Sequence, residues 1–114
     1  MIDSYAFGSI FINQKKYTSD VIVTQDDIVD NWWRNKGHEL CIDDLKKYID
    51  EFKPDIVVVG TGKFGLMKVL AETKKYFEKN NIRLIEEKTS KAVKTLNKLL
   101  AENENVVGAF HLTC

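Results

Sequence analysis

Asp55-Ile-Val-Val-Val-Gly-Thr-Gly-Lys-Phe-Gly65 is the stretch from which the fold is most directly predicted. The four successive β-branched residues from Ile56 to Val59 show no polar alternation, which is typical of a strand covered on both faces. Pro54 marks the start of this strand, because proline cannot continue a preceding helix. The glycines that follow permit a tight backbone turn. The sequence therefore predicts a buried strand that runs into a glycine turn.

A helix is predicted directly after this turn, since Leu66, Val69, Leu70 and Phe77 fall at helical spacing. Similar patterns predict the other elements. The first is a β-hairpin with arms Tyr5 to Ile12 and Tyr17 to Thr24 and a turn at Asn13 to Lys16. The next is a helix with Asp43 as its N-cap and with Ile42, Leu45, Ile49 and Phe52 on its apolar face. A strand from Ile82 to Ile85, a helix capped by Thr89 or Ser90, and a last strand from Val106 to Thr113 complete the chain.

Gln25 to Leu40 is the least regular stretch, and its pattern fits either a bent strand or an ordered loop held by Trp32 and Trp33. The order of elements, a β-hairpin followed by αβαβαβ, is that of an α/β layered protein with parallel strands and right-handed crossovers. A chain of 114 residues fits a single domain over 1–114.

Composition excludes several classes of protein. Seventeen basic and seventeen acidic side chains cancel, so the strongly basic character of a nucleic-acid-binding domain is absent. No apolar run approaches the ~20 residues of a membrane span, and the N-terminus has no secretion-signal pattern. Cys41 and Cys114 have no metal-ligand spacing. We therefore expect a cytoplasmic protein with free thiols, no metal, no nucleic acid and no membrane partner; a disulfide is the minority alternative.

Gly60-Thr-Gly-Lys-Phe-Gly65 matches the pattern G-x-G-x-x-G between a predicted strand and a predicted helix. In that context, backbone amides of Gly60, Thr61, Gly62 and Lys63 would bind a pyrophosphate or another anion at the helix N-terminus. Glu86 or Glu87 would then contact a ribose, about 20 residues later. The alternative, which we favour, is a purely structural turn, because the chain supplies only about one mononucleotide-binding half.

Two further clusters contain residues that could bind or react. Arg34 and His38, in Trp32-Trp33-Arg34 and Gly37-His38, are suited to a carboxylate or phosphate, although a loop held by its aromatic residues is the favoured interpretation. His111 lies in the last predicted strand and could act as a base for the Cys114 thiol. A structural, hydrogen-bonded histidine is the favoured interpretation there.

The chain resembles a small α/β family of undetermined biochemical role that includes the adipogenesis-associated domain protein and a mitochondrial assembly factor for respiratory complex I. The resemblance covers almost the whole chain and rests on Phe7-Gly-Ser, Trp33-Arg34, Gly37-His38, Val59-Gly-Thr-Gly62 and His111-Leu-Thr-Cys114. It implies a three-layer fold, with a mixed central β-sheet flanked by helices and an additional N-terminal β-hairpin. It implies no catalytic activity and no cofactor, and its assembly-factor member suggests work through protein contacts.

Two functions of different class are compatible with these sequence features. The first, slightly preferred, is a non-enzymatic interaction or assembly module whose surface, including the tryptophan loop, docks a protein partner. The second is an enzyme or sensor for an anionic small molecule. Its site would comprise Gly60, Thr61, Gly62 and Lys63, with Arg34, His38 and His111 as contributors if the fold brings them together. The sequence makes no prediction of oligomeric state.

Overall fold

The computed structural model describes residues 1–114, and the valine run forms a strand, β7, as predicted. In chain order the elements are β1 (Ile2–Ala6), β2 (Ser9–Ile12), β3 (Lys15–Tyr17), β4 (Val21–Val23), β5 (Ile28–Val29), β6 (Glu39–Leu40), a 3-10 turn (Ile42–Asp44), α1 (Lys46–Phe52), β7 (Ile56–Thr61), β8 (Lys68–Val69), α2 (Ala71–Lys79), β9 (Arg83–Glu87), α3 (Thr89–Ala101) and β10 (Val106–His111).

The central sheet has five strands in the order β5-β4-β10-β7-β9. β10 runs parallel to β7, and β7 runs parallel to β9, whereas β4 and β5 join antiparallel at the other edge. Val57, Val58 and Val59 are all 0% exposed. Covering of both faces is what an uninterrupted apolar strand requires, so the prediction from the valine run is confirmed.

The two faces of this sheet carry separate hydrophobic cores. Val58 packs on one side with Leu96 of α3 and with the first strands of the chain. Val57 packs on the opposite side with Phe77 of α2 and with Trp32. Successive side chains of a strand point to opposite faces, so one valine run supplies both cores. The expected three-layer α/β architecture with a mixed sheet is confirmed. The longest helix, α3, runs from Thr89 to Ala101, and none of the three helices could cross a bilayer.

The N-terminal hairpin is confirmed and extended. The predicted turn lies at Asn13 and Gln14, whose φ angles of 51° and 70° belong to a tight hairpin turn. The first predicted arm is broken by a second turn at Gly8, which has a φ of 80°. β1, β2 and β3 therefore form a separate three-stranded antiparallel sheet, and the second predicted arm continues into the central sheet as β4.

The helix predicted directly after Gly65 is wrong. Residues 66–70 are extended, β8 pairs in parallel with β6, and α2 begins only at Ala71. Met67 and Val69 are buried, whereas Leu66 and Lys68 are exposed, so this segment alternates with a period of two. The same apolar positions also match a helical spacing, and pairing with a distant strand decided between the two.

Two predicted helix caps are also wrong. Asp43 caps nothing, and it is the carboxylate of Asp44 that accepts the amides of Asn35 and Cys41, at 3.1 and 3.0 Å. α3 begins at Thr89 without a side-chain cap. The hydroxyl of Thr89 is used elsewhere, because it joins the glycine turn to β10.

Candidate functional site

The glycine turn lies at the carboxyl end of β7, beside the carboxyl end of β10. Its backbone amides already have partners within the protein. Gly62 N donates to Thr89 Oγ1 at 2.8 Å, and Lys63 N donates to Thr113 O at 2.7 Å. Leu66 N donates to Cys114 O at 2.9 Å. The turn therefore fastens the chain after β10 to the sheet.

Gly62 shows why glycine is required here. Its φ is +102°, a conformation that other residues rarely adopt. A Cβ at this position would lie 2.8 Å from Thr113 O and closer still to the backbone of Cys114. The glycine therefore permits a close approach of two backbone segments.

The hypothesis of a pyrophosphate at this turn loses its structural basis. Such a ligand needs free amides at a helix N-terminus, and no helix begins at the turn. Gly60, Thr61 and Gly62 are buried, and the exposed side chains of the turn are Lys63 and Phe64. Glu87, expected at the ribose, instead accepts the Thr95 hydroxyl at 2.6 Å. The glycines thus match the favoured structural interpretation.

Arg34, His38 and His111 are brought together, and Asp20 joins them. Arg34 Nη1 donates to Asp20 Oδ2 at 2.5 Å, and Arg34 Nη2 donates to Gly37 O at 2.9 Å. His111 Nδ1 lies 2.9 Å from Asp20 Oδ2 and 3.0 Å from Arg34 Nη2. The ring of His38, an exposed residue, meets the His111 ring edge-on at 6.3 Å. We call Asp20, Arg34 and His111 the Asp20 cluster.

The electrostatics of this cluster centre on the Asp20 carboxyl. Burial would raise its pKa, but hydrogen bonds from His111, from the Leu112 amide and from Arg34 outweigh burial and hold the pKa below its ordinary value. An ionised carboxylate only accepts, so we assign His111 Nδ1 a proton that points to Asp20. His111 Nε2 lies 3.4 Å from the Thr113 hydroxyl.

The order hydroxyl, imidazole, carboxylate resembles a nucleophilic relay. Two features weigh against that chemistry. The distance of 3.4 Å between Thr113 Oγ1 and His111 Nε2 exceeds the reach of about 3.2 Å expected for a nucleophile and its base. Arg34 also occupies Asp20 Oδ2 and lies 3.0 Å from His111 Nδ1, so the carboxylate does not serve the imidazole alone. Cys114, the nucleophile of the less favoured alternative, makes no hydrogen bond to His111.

The arrangement is well suited to holding the irregular segment 25–40 against β10. Trp32 is 3% exposed, donates from Nε1 to Asp44 O at 3.0 Å and lies under the Arg34 guanidinium, 5.0 Å from its central carbon. Trp33, by contrast, is 75% exposed. The expectation that both tryptophans anchor this segment is therefore correct for Trp32 and wrong for Trp33. The segment is an ordered loop with the two short strands β5 and β6.

Three cavities in the structure are lined neither by His38 nor by any residue of the Asp20 cluster. The largest, about 430 Å³, lies between the ends of α1 and α2 and includes Lys53 and Tyr76. Another of about 340 Å³ lies at the opposite end of β10, beside Asp26 and Glu104. A third, about 200 Å³, contains Cys41, and burial together with Asp44 raises the pKa of its thiol. Both cysteines are free, and no group of three or more metal-binding side chains is assembled.

An exposed apolar surface lies beside the glycine turn. Phe7, Phe64 and Leu66 are 50%, 60% and 47% exposed, and the two phenylalanine rings lie 6.4 Å apart. Backbone hydrogen bonds from Gly8 N to Leu112 O and from Leu66 N to Cys114 O fix the two segments that carry them. We call these three residues the apolar patch. The sequence placed Leu66 on a buried helical stripe, which is wrong, and gave no sign that Phe7 would meet Phe64.

Comparison with known proteins places the whole chain in one group. A family model described as "Protein of unknown function (DUF498/DUF598)" matches residues 2–111. A conserved hypothetical protein from Pyrococcus horikoshii OT3 superposes with a TM-score of 0.83 at 28% identity, over 100% of this chain and 99% of its own. A protein described as an outer membrane protein from Bartonella henselae has a TM-score of 0.83 at 22% identity, over 99% and 94%.

A Mth938-like domain from Bordetella pertussis superposes on the chain with a TM-score of 0.80 at 18% identity, over 98% of this chain and 85% of its own. These last two likenesses, both below 25% identity, show the fold alone. The resemblance found in the sequence is confirmed at the level of the family, while particular kinship to the adipogenesis-associated protein stays a prediction. With the family model matched over residues 2–111, the chain belongs to the DUF498/DUF598 family of proteins of unknown function.

Proposed function

We propose that this protein is a non-enzymatic interaction module that docks a protein partner on the apolar patch. The observation that carries the proposal is the exposure of three large apolar side chains, Phe7, Phe64 and Leu66, on segments fixed to each other through residues 112–114. Contiguous apolar surface that is held rigid is typical of protein interfaces, where aromatic anchors contribute most of the binding energy.

A rigid scaffold beneath the patch supports the same interpretation. Gly8, Lys63 and Leu66 each donate a backbone hydrogen bond to residues 112–114, so little ordering entropy would be lost on binding. The exposed Trp33 supports a second contact from the tryptophan loop. Two free thiols fit the reducing cytoplasm expected from the sequence.

The test is site-specific photocrosslinking in cells. Phe64 is replaced by the crosslinking analogue p-benzoylphenylalanine, and the matched control carries it at Phe11, which is 38% exposed on β2. We expect a discrete crosslinked species from position 64 that is absent from position 11. Phe7→Ser should abolish it while changing the free energy of unfolding by less than about 0.5 kcal/mol, as for other surface substitutions. Identical products from both positions, or none from position 64, would contradict the proposal.

A second candidate is the binding of a small anion between His38 and Arg34. One observation favours it. The Arg34 side chain is only 5% exposed, and its Nε atom has no hydrogen-bond partner within the protein. Thermal-shift measurements with phosphate and organic anions test it. A ligand at about one hundred times its dissociation constant adds ~2.7 kcal/mol to stability. Equal responses of wild type and His38→Ala across the panel would exclude this site.

A further inference from the structure

Three lysines border the apolar patch. Lys63 and Lys68 flank Phe64 and Leu66 in the chain, and both are exposed. Lys68 lies on the same side of its extended segment as Leu66, because the intervening Met67 points into the core. Lys88 reaches the turn from the start of α3, and its Cγ would lie 3.5 Å from a Cβ placed on Gly65. Three exposed lysines thus lie beside the segment that carries Phe64 and Leu66.

These lysines have no carboxylate partner within the protein. Ion pairs are formed by only four of the fifteen lysines: Lys36 with Glu39, Lys46 with Asp50, Lys74 with Glu86 and Lys91 with Glu87. The two glutamates that precede Lys88, Glu86 and Glu87, are therefore both committed to lysines outside this surface. Segment 61–70 contains Lys63 and Lys68 and no acidic residue. The positive charges of Lys63, Lys68 and Lys88 are therefore not offset by a side-chain ion pair, although the chain as a whole has no net charge.

We infer that the apolar patch receives an acidic amphipathic segment of a partner protein, with one aromatic or leucine side chain against Phe7 and Phe64 and with Asp or Glu residues facing Lys63, Lys68 and Lys88. This rests on the proposed function and defines the chemistry of the partner. Opposite charges around an apolar anchor set specificity and speed encounter. A second copy of this chain fits poorly, because an isologous contact would bring the lysines against their own counterparts.

The test uses peptide display on the purified full chain. A library of random peptides of about 15 residues is selected on the wild-type protein. Enriched peptides are then synthesised, and their dissociation constants are measured by fluorescence anisotropy for wild type, for the triple variant K63E/K68E/K88E and for F64S/L66S. Both variants change exposed side chains only, and their unfolding curves serve as the control for folding. Cosedimentation with vesicles that contain phosphatidylserine is measured in parallel.

We expect enriched peptides that carry Asp or Glu around an aromatic residue or leucine. Their affinity should fall by about tenfold or more in the lysine variant, and also when NaCl is raised from about 50 to about 500 mM. Enriched peptides without acidic residues that bind wild type and K63E/K68E/K88E equally overturn this inference but leave the proposed function standing. Peptides that bind F64S/L66S as tightly as wild type overturn both. Vesicle binding without peptide enrichment, or no enrichment over a blank surface, also overturns the inference.

Discussion

Replacing Asp20 with asparagine should destabilise the protein more than the same change at any other exposed or half-buried carboxylate would. The carboxylate accepts from Arg34 Nη1, from His111 Nδ1 and from the Leu112 amide, at 2.5, 2.9 and 2.8 Å. Arg34 and His111 share Oδ2, whereas the Leu112 amide uses Oδ1. The NH₂ group of asparagine therefore faces either the Leu112 amide or both Arg34 and His111, and at least one donor loses its acceptor. The Arg34 side chain, 5% exposed, would be left without a counter-charge.

Removing one partner of a fully buried ion pair costs about 3–5 kcal/mol. Asp20 is 16% exposed at its side chain, so water reaches it and the lower end applies, about 3 kcal/mol. With a urea dependence of about 1.5 kcal/mol/M, the midpoint of unfolding should fall by about 2 M. Asp27→Asn is the matched control, because the Asp27 side chain makes no hydrogen bond, and it should change the midpoint little. A loss below about 1 kcal/mol in Asp20→Asn would refute the assignment of this cluster as the support of the loop.

The same variant has a defined pH dependence. The pKa of Asp20 in the folded protein lies below its ordinary value of 3.8. The contribution of this group to stability is therefore complete above the pKa of the unfolded chain, and it is lost as the pH falls through the folded pKa. The difference in unfolding free energy between wild type and Asp20→Asn should be constant near neutral pH and shrink in acid. A difference that grows in acid would show that the carboxylate is not stabilised in its ionised form.

Five further substitutions, two of them controls, test the fold by their effect on thermal or urea unfolding. Gly62→Ala should cost about 3 kcal/mol or more of unfolding free energy, because Gly62 has a left-handed backbone and a Cβ there would clash with the backbone of Cys114. Gly37→Ala, with open space at its Cβ, should change stability by less than about 0.5 kcal/mol. Equal effects of the two substitutions would contradict the close approach of Gly62 to Cys114. Trp32→Ala should cost about 4 kcal/mol and Trp33→Ala almost nothing, and the reverse order would reject Trp32 as the anchor. Thr89→Val keeps the shape but removes two hydrogen bonds, and should cost about 2 kcal/mol; a neutral result would show that they do not stabilise the protein.

Local sequence patterns correctly predicted two kinds of element: tight turns, whose conformation depends on neighbouring residues, and a strand that is buried on both faces. The valine run of β7 indicated a strand covered on both faces, because no polar residue interrupts it. The turn at Asn13 and Gln14 followed from a polar stretch between two β-forming runs, and Asn13 is a residue type that tolerates positive φ. In both cases the residues that determine the local structure are adjacent in the sequence.

Long-range pairing explains the errors. Residues 66–70 match both a helix and a strand, and the parallel pairing of β8 with β6, some distance back in the chain, selects the strand. Asp20 was not singled out, because it reads as an ordinary polar residue before β4. Its partner His111 is separated from it by 91 residues, and Arg34 by 14. The apolar patch likewise joins Phe7 to Phe64, two residues that no periodicity connects.

The position of β10 has a consequence for biosynthesis. It is the last strand along the chain, yet it lies between β4 and β7 and pairs with both. Until the ribosome has released residues 106–111, neither Val21–Val23 nor Ile56–Thr61 can gain its central neighbour. The nascent polypeptide therefore presents two apolar strand edges while the segment after β7 is still being synthesised, a period in which protection by a chaperone would count most.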